Sequence, residues 1–145
     1  MRHFLIALVA AIATPAAAAV EVAQPWSRPA VAGATGAGFM TLANRSKAAD
    51  TLVAIESPGA RKVEIHRSQM SGGVASMRRV ERLAIPAGRA VTFAPGGYHL
   101  MFVGLARPLK TGQTLPATLT FASGARIQVA FQVALGPPEA PGHHH

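Results

Sequence analysis

Residues 62–101 read KVEIHRSQMSGGVASMRRVERLAIPAGRAVTFAPGGYHLM. At the start of this stretch Val63 and Ile65 alternate with Lys62, Glu64 and His66, and at its end Tyr98, Leu100 and Phe102 alternate with His99 and Met101. A period of two is the signature of a β-strand, whose successive side chains point to opposite faces. Ser71-Gly72-Gly73 separates Lys62 to Gln69 from Val74 to Glu81 and marks a hairpin, and Pro95-Gly96-Gly97 marks the turn into the strand that follows. A two-residue turn at Ser71-Gly72 pairs His66 with Met77. A turn at Gly72-Gly73 instead places Met77 opposite Ser68 and diagonal to His66. Both registers keep His66 and Met77 on one face.

Outward from this stretch the same pattern continues. Val20 to Ala23, Phe39 to Ala43, Thr51 to Glu56, Ala90 to Ala94, Thr118 to Ala122 and Arg126 to Leu135 read as further strands. The Gly- and Pro-rich run WSRPAVAGATGAG, residues 26–38, reads as loop, and residues 44–50 as a turn. Many short strands without a helical period predict an all-β chain, a Greek-key β-sandwich or barrel. At 145 residues, half of them hydrophobic, the chain has enough apolar surface for one core.

The first residues, MRHFLIALVAAIATPAAAAV, have a positive charge at Arg2, an apolar run from Phe4 to Ala13 and a small-residue site at Ala17-Ala18-Ala19. This is the pattern of a secretory signal peptide over residues 1–19, and it predicts an exported protein whose domain spans residues 20–135. The apolar run is too short for a lasting transmembrane helix. Export permits disulfides, yet the sequence has no cysteine. That excludes blue-copper electron transfer, which needs a Cys ligand, and thiol exchange. The balance is basic, 14 Lys plus Arg against 6 Asp plus Glu. An exported chain with no nucleic-acid motif is not expected to bind nucleic acid, so the charge reads as a solvated basic surface or as attraction to an anionic membrane or an acidic partner.

Four side chains stand out of phase with the apolar positions of their strands: His66, Met77, His99 and Met101. Met40 reads as core filler. Imidazole nitrogen with thioether sulfur, and neither thiolate nor carboxylate, is a donor set suited to Cu(I). A thioether binds without first losing a proton and forms no disulfide. Alternation predicts that all four side chains face away from the core, with Tyr98, Leu100 and Phe102 anchoring the second ligand strand inside.

The spacing of these four, with ten, twenty-one and one residues between successive members, resembles the motif of the periplasmic copper chaperone family called PCuAC. The words VEIH, IPAG and PGGYHLM and the Trp26-Ser27-Arg28 segment are similar to that family as well. The resemblance implies a cupredoxin-like fold that binds Cu(I) through His66, Met77, His99 and Met101. It also implies delivery to the copper-bearing subunit of cytochrome oxidase, with another copper chaperone as donor or acceptor. Many relatives carry a further Met two residues after the first His, where this chain has Ser68. Met70 lies four residues on, roughly 13 Å along an extended strand, too far for direct ligation beside His66.

The end of the chain, GPPEAPGHHH, has the composition of a disordered tail, residues 136–145. His143, His144 and His145 are weaker candidates there, for Cu(II). Two rival classes are a copper-dependent enzyme or electron-transfer protein and a structural or adhesive β-sandwich. The first lacks a nucleophile and base constellation, and the second leaves the four-ligand spacing without a reason.

Overall fold

The computed structural model describes residues 19–138. All but the last residue of the expected leader, residues 1–19, and the tail histidines His143, His144 and His145 lie outside them. Ten strands follow one another: β1 (Val20–Ser27), β2 (Gly36–Asn44), β3 (Asp50–Glu56), β4 (Ala60–Ser71), β5 (Val74–Val80), β6 (Leu83–Ile85), β7 (Ala90–Phe93), β8 (Tyr98–Leu105), β9 (Thr114–Phe121) and β10 (Arg126–Val133). They form one sheet in the order β5-β4-β8-β7-β2-β1-β10-β9-β3-β6, with a further pairing of β8 to β2. The sheet curls on itself, so that Phe102 of β8 meets Phe131 of β10 edge to face, ring centroids 5.4 Å apart. The fold is all-β and cupredoxin-like, as the alternation and the resemblance predict.

The inward positions are those that alternation picks out. Ile65, Leu100, Phe102, Leu119, Phe121 and Phe131 are buried, and so is Met40. Burying side chains of this size stabilises by roughly 1.5–3 kcal/mol each relative to exposure, so the core holds without a disulfide. One close approach decides a residue type. A Cβ on Gly38 would lie 2.6 Å from the ring of Phe102, so only glycine lets β2 pass beneath that ring.

Several boundaries differ from the expectation; β9, for one, begins at Thr114 and not at Thr118. β1 runs through Pro25 to Ser27, where a loop is predicted, because a register shift between Ala23 and Trp26 absorbs the proline. Gln24 takes a positive φ of 50° there, and bulges are where sheets tolerate proline. β2 begins at Gly36, inside the expected loop, since its glycines fit under neighbouring side chains. β6 is an unforeseen strand of three residues. It is tied to the turn after β2 by Asn44, which is buried and whose Nδ2 donates to the carbonyls of Ala48 and Ile85 at 2.9 and 3.0 Å.

Candidate metal centre

β4, β8 and β5 build the site. The turn between β4 and β5 is Gly72-Gly73, closed by Ser71 opposite Val74, with φ of 58° and 78°. The second of the two possible registers is therefore the real one: Met77 lies opposite Ser68, and His66 opposite Arg79. On the other side of β4, His66 lies directly opposite His99 and Glu64 opposite Met101. Glu64, His66, Met77, Arg79, His99 and Met101 thus share one face of three adjacent strands. The histidine rings stand 5.9 Å apart between centroids, tilted by 39°. At roughly 2 Å for an imidazole–metal bond, this separation is of the size that two rings sharing one ion need.

The exposure of the four candidates is graded. Met77 is 55% exposed, whereas His99 is 7% exposed, and His66 and Met101 are intermediate. The expectation that all four side chains open to solvent is corrected at His99. β8 is an interior strand, with β4 on one side and β2 and β7 on the other, and these neighbours wall His99 in. Alternation within a strand reveals the face of a residue but not what flanks it.

Each imidazole is fixed by a hydrogen bond through one nitrogen, leaving the other free. His99 Nδ1–H donates to the carbonyl of Gly97 at 3.2 Å, which makes Nε2 its lone-pair nitrogen. His66 Nε2–H donates to Glu64 Oε2 at 2.8 Å. Its other nitrogen, Nδ1, is buried with no hydrogen-bond partner among the described residues. Metal-binding histidines are characteristically oriented in this way, with the second nitrogen held by a carboxylate or a backbone carbonyl. A buried nitrogen with a lone pair and no donor is costly unless something binds it. Lys62 Nζ lies 3.1 Å from Glu64 Oε1. The hydrogen bonds from His66 and Lys62, ahead of the nearby charges of Lys62 and Arg79, pull the Glu64 carboxyl down to about 2. Glu64, which holds the ring of His66, is a residue that the sequence reading passed over. Its signal was its place two residues before His66, on the same face of the strand.

Among the described residues no three His, Cys, Asp or Glu side chains gather into a metal cage. This face carries a pair of imidazoles and, at neighbouring register positions, the thioethers of Met77 and Met101. Met70, opposite Ala75, lies on the same face further along the hairpin.

Residues 20–133 match the family described as "Putative lipoprotein LpqE-like". The chain belongs to the LpqE-like, PCuAC-type family. It is similar to the "Putative lipoprotein Lxx21020" of Leifsonia xyli subsp. xyli, 33% identical over 79% of this chain and 69% of that one. It is also similar to RP573 of Rickettsia prowazekii, 31% identical over 86% and 71%. Among solved structures, the Cu(I) form of DR1885 from Deinococcus radiodurans superposes with a TM-score of 0.60 at 34% identity, covering 85% of this chain and 80% of that one. The copper-bound PCuAC domain of PmoF2 superposes with a TM-score of 0.67 at 23% identity over 81% and 94%, a likeness of fold. The family description speaks of lipoproteins, and the 145 residues of this LpqE-like chain contain no cysteine to carry a thioether-linked lipid. No helix among the described residues is long and apolar enough to cross a membrane.

Proposed function

We propose that this chain is an exported periplasmic copper chaperone that holds Cu(I) between His66, Met77, His99 and Met101 and passes it on by ligand exchange. The observation that carries the reading is the opposed pair of histidines, each pinned through one nitrogen, with the unpartnered Nδ1 of His66 buried between strands. The Cu(I) form of the similar DR1885 supports the choice of metal. Two imidazoles and two thioethers are neutral, so the loaded site carries one positive charge, and the Glu64 carboxylate beside His66 offsets it. The tetragonal nitrogen and oxygen environment favoured by Cu(II) is not what this face provides.

No bond of a substrate is made or broken; copper is cargo. The graded exposure sets an order of exchange. Met77, the most accessible donor, is displaced first by an incoming ligand, and His99, the least accessible, is released last. The acceptor we assign is the copper-bearing subunit of cytochrome oxidase, with a second copper chaperone as the alternative exchange partner, and this assignment rests on the family resemblance.

The test is an anaerobic competition titration against a Cu(I) chelator across pH. A thioether has no proton to lose and an imidazole must be neutral to bind. One tight equivalent is expected, with log affinity falling on acidification toward a limiting slope of about two, one proton per histidine. A flat profile between about pH 4 and 8, after correction for the chelator's own protonation, would remove the histidines from the site.

A further inference from the structure

β4 leaves the body of the sheet before it ends. Its pairing with β8 stops at Arg67 opposite Tyr98, after which only the Ser68 N–H reaches back, to the carbonyl of Gly97. From there β4 and β5 continue as a two-stranded ribbon, and β5 is the outermost strand of the sheet. Residues 69–79 are all exposed, Met70 at 72%, Val74 at 67% and Met77 at 55%. A two-stranded ribbon is marginal on its own in water, and this one is covered on neither face.

Its charge is of one sign. Residues 67–79, RSQMSGGVASMRR, contain three Arg and two Met and no Asp, Glu or Lys. Arg and Met are enriched at protein interfaces, whereas the three Ser, the Ala and the lack of aromatics are not interface features, so charge and exposure carry the reading. Arg67 and Arg78 lie directly opposite each other, and like charges so placed destabilise a strand pair. The ion pairs among the described residues join Arg45 to Glu21 and Lys62 and His66 to Glu64, so no carboxylate relieves that opposition. The Arg67 guanidinium lies instead over the Tyr98 ring, 5.2 Å from its centroid, which leaves Arg78 as the arginine of the pair with neither an ion pair nor a ring contact among the described residues. The fold tolerates an unfavourable pair on the strands that carry His66 and Met77.

We infer that the ribbon of residues 67–79 is a docking surface for an acidic protein partner, which it engages through Arg67 and Arg78. A second copy of this chain, with its excess of 14 Lys plus Arg over 6 Asp plus Glu, would be repelled. An anionic membrane is disfavoured because the ribbon has no Trp, Tyr or Phe to seat in the lipid interface. That the partner exchanges copper rests on the proposed function; the docking itself does not.

The test titrates the labelled full-length protein with poly-glutamate, and separately with phosphatidylcholine vesicles containing phosphatidylglycerol, while following backbone amide shifts. Poly-glutamate should shift residues 67–79. R67Q/R78Q should weaken its binding about fivefold to tenfold, the product of two exposed charge pairs, and R67K/R78K should restore it. The control R107Q/R126Q, at two arginines that are also exposed, should change it less than about twofold. R78Q should melt at or above the parent's temperature, because it relieves the opposition to Arg67. Cu(I) affinity should match the parent in R67Q/R78Q, so a failure of docking and a failure of the copper reading are told apart. Equal losses in R67Q/R78Q and R107Q/R126Q, no recovery in R67K/R78K, or shifts at the ribbon caused by vesicles and not by poly-glutamate would each overturn the inference.

Discussion

Glu64 does two things at once. Its carboxylate accepts the Nε2–H of His66, which fixes the ring so that Nδ1 carries the lone pair, and it places a negative charge beside the proposed cation. Glu64→Gln keeps the shape and removes the charge, so Cu(I) affinity should fall about 10–100-fold, the usual effect of altering a group that orients a ligand. A competition titration checks this, and an unchanged affinity would leave Glu64 as a mere surface ion-pair residue. The same carboxylate gives a sign to the acid limb of stability. Its folded value of about 2 lies below the ordinary 4.5, so its contribution is fully present above about pH 4.5. That contribution is lost as pH falls toward 2. Chemical denaturation of the metal-free protein over this window should show a shallower acid loss for Glu64→Gln than for the parent.

At the scale of elements, β2 and β8 meet where Gly38 passes under Phe102. Gly38→Ala forces a methyl group into a ring that has no free space in the core, and a cost of about 1–3 kcal/mol is expected. Thermal unfolding of the metal-free variant measures it, and an unaltered midpoint would show that the ring yields freely. The same elements show what alternation can and cannot tell. The strands carrying His66 and His99 were legible because apolar and polar residues alternate cleanly from Lys62 to His66 and from Tyr98 to Phe102. The hairpin register was not, since Ser71-Gly72-Gly73 offers two turns. The chosen one needs a positive φ at both central residues, which only Gly72-Gly73 supplies without strain. β6 escaped notice because three residues between Arg82 and Pro86 hold no usable period. Its existence depends on pairing with β3 and on Asn44. Glu64 looked like any outward polar residue until the pairing of β4 with β8 brought His66 and His99 together.

For the whole molecule, the curled sheet acts as a frame that sets two histidines opposite each other, while the β4–β5 hairpin carries an exposed thioether. In the proposed hand-over, this division would keep one end of the donor set fixed as the other exchanges. The central claim is the ligand set, and copper K-edge X-ray absorption on the one-to-one Cu(I) protein reads it most directly. The account predicts a shell of two imidazole nitrogens and two thioether sulfurs. Met77→Ala should lose one sulfur and melt close to the parent, because that side chain is 55% exposed. Combining it with Met101→Ala should remove both sulfurs. A parent spectrum without sulfur, or a sulfur shell that survives in the Met77→Ala/Met101→Ala protein, would contradict it.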